Sequence, residues 1–548
     1  MPRDIDRRSF LKAAGAATVT TSMTAGCISG LVGEGDGDGN GGGEGGTLTY
    51  GRGAASDTLD PQGSTSGEVA KVTNQVYDQL IGFEPGGAAL VESLATSFEL
   101  DGTTATLELR EDATFHNGDD FTADDFIATY RRYLDEDYEY YNEDGSIYGP
   151  YLLGYVDDVS ADDDYTLTFE IEKRYAPFLA NLAVFALAVL PKSEIESGTD
   201  FATEMVGTSA FQLDNMDEGS GRIRLAAYDD YYGEGPHVDE VVFRVVGENS
   251  TRAQSLNAGE LDIIDGLDSQ TVQQVEDGDA EVRRIDGMNV GYMALNGAQF
   301  EPFQDKRVRQ AMNYAINTEE LANSIYQGIA TPASQPITED ILGYNEDLDP
   351  YPHDPEQAQS LLEEAGYGDG FELELATFQN PRAYNPSPVQ AAETIRSYLQ
   401  EVGIDATIEQ KTWETYLSYT GEGRHDACFL GWMTDNGDPD NFYYALLHPQ
   451  IDVPEDQDFA DWDAEGYNTS NRAAWANNEF MQLIEEGQAT YEDSERAEIY
   501  QQAAEIFHEE CPWVPLVHAE EIRGVGPNVS NYTVELVGGP FLDQVQLS

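Results

Sequence analysis

The sequence predicts a mixed α/β protein with several sheets, because strand-like and helix-like segments alternate irregularly along the chain. The chain has 548 residues, which is too long for one hydrophobic core. Its length predicts roughly two to four domains. No self-similarity at a period of roughly 20–50 residues is visible, so a repeat architecture is not expected.

The individual elements follow from hydrophobic period and from capping residues. Asn317 and Asp354 are predicted N-caps, and Gly366 and Gly403 end the helices that precede them. The most apolar run, Ala176–Leu190, is too short to span a bilayer and is predicted to lie in a core. The predicted strands are Val241–Val246, Glu260–Ile264 and Phe371–Leu375, and the predicted helices are Thr251–Ala258, Arg307–Tyr314, Thr318–Tyr326, Pro355–Ala365 and Val389–Val402.

The first 46 residues are predicted to serve export and anchoring rather than folding. Arg7–Lys12 reads RRSFLK, which is typical of a twin-arginine export signal. Thr24–Cys27 resembles a lipobox whose Cys27 receives a lipid, so residues 1–27 form the signal; a soluble secreted form cleaved nearby is the alternative. Residues 28–46 are rich in Gly, Asp and Glu and form a tether with a reach of about 25 Å.

The charge of the chain is strongly negative. Lys and Arg number 28 against 103 Asp and Glu, which gives a net charge of −75. Nucleic acid is excluded as a partner, because it needs a basic surface. The acidic residues are spread along the whole chain and favour the surface of a halophile's protein, on which molar salt screens repulsion beyond about 3 Å. An ordinary acidic protein is the alternative.

The cysteines and histidines indicate no metal site and no cofactor. If Cys27 carries lipid, Cys428 and Cys511 remain, and they form either a disulfide or two buried thiols. No Cys/His cluster has the spacing of a zinc site.

One loop has an unusual composition. Gly431–Phe442 follows the apolar run Ala427–Leu430 and contains three carboxylates, two Asn and a Pro. Such residues predict a strand that leads into an ordered loop. Asp435 beside Trp432 places a lone anion next to an apolar wall, which suits a ligand with a cationic amine.

Several segments together resemble family 5 of the solute-binding proteins of ABC importers, and most of all its dipeptide-binding members. Val206–Phe211 departs from the family's pattern, because Ser209-Ala210 replaces Gly-Pro. The resemblance covers essentially residues 47–548. The segments that carry it are Phe121–Phe126, Val206–Phe211, Asp229–Pro236, Asp354–Tyr367 and Gly431–Phe442.

The resemblance implies an α/β fold of the type II periplasmic-binding-protein kind, with three domains in two lobes joined by a two-strand hinge. The hinge strands are expected near Met288–Asn296 and Trp513–His518. The implied domains are a first domain formed by residues 47–80, 205–296 and 516–548, a second formed by 81–204, and a third formed by 297–515.

The resemblance also implies the ligand-binding residues. Asp435 corresponds to the residue that binds the peptide's α-amino group. Arg382, in the segment Asn380–Pro386, corresponds to an Arg that binds the peptide's carboxylate, and Tyr384 of the same segment is a further predicted contact. The two charges of an extended dipeptide lie roughly 6–7 Å apart, so two such poles would select short peptides.

The remaining residues of this region have weaker indications. Trp413 and Trp432 are predicted to line the pocket with apolar surface, although either could equally be a core residue. Asp438 and Asp440 are expected to shape the loop rather than to bind ligand.

The implied function is capture of short peptides on the extracellular face of the membrane and their delivery to an ABC permease and ATPase complex. No enzymatic activity is expected. One alternative is an oligopeptide, haem, nickel or oligosaccharide carrier on the same scaffold. A second is a secreted hydrolase, although no HExxH or GxSxG motif is present. A third is a surface adhesin. Glycosylation sequons that an adhesin could use occur at Asn249, Asn468, Asn528 and Asn531.

Overall fold

The computed structural model describes residues 45–146, 148–217, 219–379 and 382–548. The predicted export signal, Cys27 and the tether up to residue 44 lie outside the described residues, as do Asn380 and Pro381. Within the described ranges, no helix is both long enough and apolar enough to cross a membrane.

The chain forms twenty described strands and fifteen described α-helices, interspersed as the sequence predicts. The strands are β1 (Thr47–Arg52), β2 (Ile81–Phe83), β3 (Leu90–Glu92), β4 (Ala95–Asp101), β5 (Thr104–Leu109), β6 (Val156–Asp163), β7 (Thr166–Ile171), β8 (Phe211–Asp217), β9 (Arg222–Ala227), β10 (Glu240–Val245), β11 (Ile263–Ile264), β12 (Glu281–Asp286), β13 (Asn289–Leu295), β14 (Ala330–Pro332), β15 (Glu372–Phe378), β16 (Asp405–Lys411), β17 (Ala427–Met433), β18 (Trp513–Val525), β19 (Val529–Ser530) and β20 (Gln546–Leu547). The helices are α1 (Gly67–Thr73), α2 (Ala123–Leu134), α3 (Tyr148–Leu153), α4 (Phe178–Asn181), α5 (Lys192–Ser197), α6 (Asn249–Asn257), α7 (Ser269–Glu276), α8 (Lys306–Ala315), α9 (Thr318–Ser324), α10 (Pro355–Glu364), α11 (Pro388–Glu401), α12 (Trp413–Gly421), α13 (Asp440–Leu447), α14 (Asn478–Ala489) and α15 (Asp493–Glu510).

A twelve-stranded sheet runs through the whole molecule and is organised around β18. Its main order is β16-β15-β17-β13-β18-β11-β1-β10-β9-β8. β12 and β13 follow each other along one edge of β18, pairing with its C-terminal and N-terminal parts respectively. β11 and β12 both pair with Val525 of β18, so they lie on opposite edges of it. In the same way β14 and β13 both pair with Val517, so β14 lies on the edge opposite β13.

The two crossings, β12–β13 and β18, divide the molecule into two lobes. We call residues 45–286 with 520–548 the first lobe and residues 289–519 the second lobe. The first lobe carries β8–β11 and β1, together with a separate four-stranded sheet of order β4-β5-β7-β6. The second lobe carries β15, β16 and β17. Strands are present where the hinge was predicted, as β13 and the N-terminal part of β18, and their role as a hinge stays a prediction.

The helix caps that were predicted from single residues are confirmed. The side chain of Asn317 accepts a hydrogen bond from the N–H of Glu320, and that of Asp354 accepts one from the N–H of Gln357. Gly366 has a φ of +91° just beyond α10, where a side chain would be strained. The predicted strand Glu260–Ile264 is wrong in extent, because only its last two residues pair, with β1 and β18.

The apolar run Ala176–Leu190 lies in the core, as predicted. It forms α4 and a short 3-10 turn at Phe185–Leu187 instead of one continuous helix. All residues from Leu182 to Leu190 are buried, and the large core cluster that contains most of them extends into the second lobe. The two lobes therefore pack against each other.

The two described cysteines are unpaired thiols. Cys428 lies in β17 and Cys511 follows α15, and both are buried. Burial raises the pKa of both thiols to about 12. In the part of the chain that the structure describes, no group of three or more His, Cys, Asp or Glu residues could hold a metal ion.

Candidate ligand-binding site

The loop predicted to carry the site lies between β17 and α13, where the two lobes meet. β17 leaves the sheet after Met433, and the N–H of Thr434 donates to the carbonyl of Met288 beside the hinge. The Thr434 hydroxyl accepts hydrogen bonds from the N–H groups of Asn436 and Gly437. Gly437 has a φ of +72°, and a Cβ there would come within 2.6 Å of Ala88 in the first lobe. The loop is therefore ordered, and its tip fits closely against the first lobe.

Asp435 is held by neutral hydrogen-bond donors from both lobes. Its Oδ1 accepts a hydrogen bond of 2.6 Å from the hydroxyl of Tyr148, in α3 of the first lobe. Its Oδ2 accepts from Asn441 Nδ2 at 3.4 Å, and its own N–H donates to Asn441 Oδ1. Among the residues that the structure describes, no Lys, Arg or His nitrogen lies within 4 Å of this carboxylate.

The electrostatics of Asp435 follow from that environment. Burial raises the pKa of Asp435, and the hydrogen bonds from Tyr148 and Asn441 offset only part of this effect. A carboxylate that has lost its water and gained no cation is poorly stabilised. A cationic group placed beside it would remove that penalty.

Tyr148, Tyr151 and Asn441 were not predicted as site residues. The Tyr151 hydroxyl accepts a hydrogen bond from Asn441 Nδ2 at 3.1 Å, so Asn441 links the two lobes as well. Tyr148 and Asp435 are 287 positions apart in the chain. The short aromatic turn at Tyr148–Tyr151 is visible in the sequence, but nothing in it indicates which distant carboxylate it meets.

Trp432 makes a polar contact in addition to the apolar wall that was predicted for its ring, which stays a prediction. Its Nε1 donates a hydrogen bond of 2.9 Å to Asn441 Oδ1, the same oxygen that accepts from the N–H of Asp435. The Trp432 ring is partly buried. Its observed contact therefore positions Asn441 and, through Asn441, the carboxylate of Asp435.

Arg382 lies in a two-residue hairpin, where its N–H and carbonyl both bond to Asn385. Its guanidinium lies over the ring of Trp413, 3.8 Å from the ring centroid. Its Nε is buried and has no hydrogen-bond partner. In the described ranges, no carboxylate lies within 4 Å of Arg382, and burial lowers its pKa.

The Trp413 ring packs against one face of the Arg382 guanidinium. Trp413 is the first residue of α12, and its ring packs edge-on against Phe378 with centroids 5.0 Å apart. The structure thus brings together Arg382 and Trp413, two residues that were predicted separately. Cation–π contact stabilises the guanidinium while leaving its edge free for a carboxylate.

Tyr384 connects the Arg382 hairpin to the Asp435 loop. It is buried, and a Cβ at Gly431 would come within 2.2 Å of its ring. Gly431 is the register partner of Gly291, whose Cβ would meet the Tyr384 carbonyl at 2.7 Å. The two glycines therefore leave the space that Tyr384 occupies, and the packing of Tyr384 there anchors the hairpin. A direct contact of its ring with ligand stays a prediction.

Asp438 and Asp440 shape the loop. Asp438 forms a bidentate ion pair with Arg496 of α15, with both N–O distances at 2.7 Å. Asp440 accepts hydrogen bonds from Gln488 and from the hydroxyl of Tyr175 in the first lobe. Burial, and to a lesser extent the charge of Asp438, raises the pKa of Asp440 to about 7.

The two lobes thus contain one carboxylate, Asp435, and one guanidinium, Arg382, that have no opposite charge within 4 Å among the described residues. Comparison with known proteins assigns the chain to a family. The sequence profile of the bacterial extracellular solute-binding proteins, family 5 (middle region), matches residues 89–452. Because the match spans more than half of the chain, the protein belongs to this family.

Individual relatives resemble the chain over most of its length. The dipeptide-binding protein of Escherichia coli (strain K12) is 30% identical over 521 residues, covering 91% of this chain and 94% of the relative. Heme-binding protein A of Haemophilus influenzae is 31% identical over 492 residues, covering 86% and 85%. Among solved structures, the periplasmic binding protein DppA of Helicobacter pylori, in complex with the peptide STSA, is similar with a TM-score of 0.76 and 31% identity, covering 92% and 98%.

Proposed function

We propose that this protein captures short peptides, with dipeptides favoured, by closing its two lobes and then delivers them to an ABC permease and its ATPase. The observation that carries the proposal is the pair of desolvated, uncompensated charges at Asp435 and Arg382. The similarity to a dipeptide-binding protein and to a peptide-bound structure supports it.

A zwitterionic peptide matches these two poles. Its ammonium group donates to Asp435, whose Oδ2 has, among the residues that the structure describes, only a long contact with Asn441. Its carboxylate accepts from the planar guanidinium edge of Arg382, the geometry that arginine offers best. The Trp413 and Trp432 rings provide apolar surface for the peptide's side chains. Both ion pairs form in a closed cleft, so they are screened by salt far less than exposed pairs.

The proposed organisation follows the family. The first domain consists of residues 47–80, 205–296 and 516–548, the second of 81–204 and the third of 297–515, so that segments 289–296 and 516–519 belong to the first domain although they lie on the second-lobe side of the crossings. Residues 1–27 direct twin-arginine export, Cys27 carries the lipid anchor, and residues 28–46 tether the protein to the outer face of the membrane. The strongly acidic surface suits a saline environment, and the protein has no catalytic role.

Isothermal titration calorimetry in molar salt with a panel of dipeptides tests the site. We expect Arg382→Ala and Asp435→Ala each to weaken dipeptide affinity by two decades or more, because removing one partner of a desolvated pair costs about 3–5 kcal/mol. Arg424→Ala and Asp456→Ala are matched controls, since both residues are exposed. Wild-type affinity in either site variant, with the fold intact by circular dichroism, would contradict the assignment.

A haem carrier is the second candidate, supported by the similarity to heme-binding protein A. Native mass spectrometry of the purified protein distinguishes the candidates by identifying what occupies the cleft. Dipeptides support the proposal. Haem, longer peptides, nickel complexes or oligosaccharides would replace it with the corresponding carrier.

A further inference from the structure

The four glycosylation sequons, at Asn249, Asn468, Asn528 and Asn531, have no part in the proposed function. An oligosaccharide on such an asparagine is bulky and hydrophilic, so it needs a position on the surface. It is attached through Nδ2, which gives up one of its two hydrogens. A folded protein can therefore carry a glycan only where Nδ2 faces solvent and its hydrogens are not needed for internal hydrogen bonds.

Two of the four side-chain amides are used by the fold. Asn468 Nδ2 donates both of its hydrogens to main-chain carbonyls at the C-terminal end of α13, at 2.9 and 3.0 Å. Asn249 Nδ2 donates to Asp268 at 3.4 Å, and Asn249 Oδ1 accepts a hydrogen bond of 2.7 Å from Arg252. Both asparagines are only partly exposed. A glycan at either position would displace contacts of the folded chain.

Asn528 and Asn531 differ from these two. Both are exposed, and they flank the short strand β19. Among the described residues, neither side-chain amide has a hydrogen-bond partner. The contacts of Asn528 are made by its main-chain carbonyl, which accepts from the N–H of Ser548 at 3.0 Å and from its hydroxyl at 3.4 Å. The third residues of the two sequons, Ser530 and Thr533, are exposed as well.

The segment that carries both asparagines lies on the first lobe, beside the start of β1. β19 pairs with β20, and a Cβ built on Gly46 would come within 3.4 Å of Leu547 in β20. β18 pairs with β13 up to Val517 and ends at Val525, roughly 25 Å farther along the strand at about 3.3 Å per residue. Attachment at Asn528 or Asn531 therefore leaves β17 and the loop that follows it uncovered.

We propose that Asn528 and Asn531 are acceptors for N-linked glycans and that Asn249 and Asn468 are not. The reaction forms a bond between the asparagine Nδ2 and the anomeric carbon of an oligosaccharide. It breaks the bond between that carbon and a phosphate oxygen of a lipid-linked donor, and the phosphate takes the proton that leaves Nδ2. The modification concerns the surface alone, so it is independent of which ligand the cleft binds.

Peptide mass spectrometry of the full-length protein, isolated from the membranes of its own host, tests the assignment. We expect the added mass of an oligosaccharide on the peptides that contain Asn528 and Asn531. The peptides that contain Asn249 and Asn468 should keep their unmodified mass, and they serve as controls within the same digest. An unmodified amide at Asn528 or Asn531 would overturn the assignment of that residue, and a glycan on Asn249 or Asn468 would overturn the exclusion of those two.

Variants of the third sequon residue, produced in the same host, separate the two positions. Ser530→Ala should remove the glycan from Asn528, whereas Ser530→Thr keeps the sequon and should retain it. Thr533→Ala and Thr533→Ser form the matching pair for Asn531. Each variant leaves its asparagine in place and changes one exposed side chain, so the fold should be intact by circular dichroism. A glycan that persists in the alanine variants would show that these sequons are not what is recognised.

Discussion

Two arginines of this protein lie in similar surroundings and differ in one respect. Arg496 lies 5.2 Å from the ring centroid of Tyr500, and Arg382 lies 3.8 Å from that of Trp413. Arg496 has a carboxylate partner, Asp438, within the protein. In the described part of the chain Arg382 has none. The same contrast holds within one loop, where Asp438 is paired and Asp435 is not.

The contrast separates a structural ion pair from an incomplete one. The Arg496–Asp438 pair is buried on both sides, with side-chain exposures of 6% and 8%, and it ties α15 to the loop. Arg382 and Asp435 are also partly shielded from water, but among the described residues no opposite charge lies within 4 Å of either; the ligand is proposed to supply it. Unpaired charges that are shielded from water lower the stability of the folded protein. In return, a site built from them needs little rearrangement when a charged ligand binds.

The largest effect is expected at the structural pair. Asp438→Ala leaves the guanidinium of Arg496 buried and unpaired, so the free energy of unfolding should fall by about 3–5 kcal/mol. Chemical denaturation at constant salt concentration measures it. The double variant Asp438→Leu/Arg496→Met should recover part of the loss, because apolar side chains need no counter-charge. A loss below about 1 kcal/mol in Asp438→Ala would remove the distinction between the two arginines.

A smaller effect is expected from the pH dependence of Asp440. Its surroundings include the carboxylate of Asp438, the cations Arg496 and Lys173, and the neutral Gln488. Because its pKa is about 7 in the folded protein against an ordinary 3.8, the folded state binds the extra proton. The stability contributed by this group is complete below pH 4 and is lost as the pH rises through 7.

Asp440→Asn tests this by removing the titrating group. Relative to wild type, the variant should gain about 1–3 kcal/mol of stability between pH 4 and pH 8, since one pKa unit corresponds to about 1.4 kcal/mol. Parallel denaturation curves at several pH values measure the difference. A wild-type protein that becomes more stable than the variant as the pH rises would show that the sign is wrong.

The smallest effect is expected from Tyr148, the neutral hydrogen-bond donor to Asp435. Tyr148→Phe removes one hydrogen bond from Asp435 and should weaken dipeptide binding about three- to tenfold, because such a bond contributes about 0.5–1.5 kcal/mol. Calorimetry measures the affinity, and Tyr165→Phe, in the turn between β6 and β7, is the control. A loss as large as that of Asp435→Ala would mean that Tyr148 holds the ligand itself.

Much of the local structure was predictable because its causes are local. Asn317 and Asp354 cap helices through bonds to residues three positions away, so the residue types and their spacing suffice. The segments placed through the family resemblance as hinge strands do form strands, and their role as a hinge stays a prediction. Glu260–Asp262 failed as strand residues because strand pairing depends on partners elsewhere in the chain, which alternation alone does not reveal.

The site was predictable in part. Asp435 and Arg382 could be selected by residue type within motifs, and their roles as ligand contacts remain predictions. The bond from Tyr148, the bridging role of Asn441 and the hydrogen bond of Trp432 could not be found, because each depends on how distant segments meet. The two thiols illustrate the same limit, since a disulfide and two free cysteines were equally compatible with the sequence.

The sequence by itself determined the fold class, the acidic surface, the ordered loop and the charged residues available to a ligand, because these depend on composition, on short-range spacing and on family motifs. Only the tertiary structure decided which charges are neutralised internally. Arg496 reaches Asp438 across 58 positions, whereas Arg382 and Asp435 reach no opposite charge among the described residues. Electrostatic energy depends on distance and on exclusion of water, and both are set by how distant segments of the chain pack together.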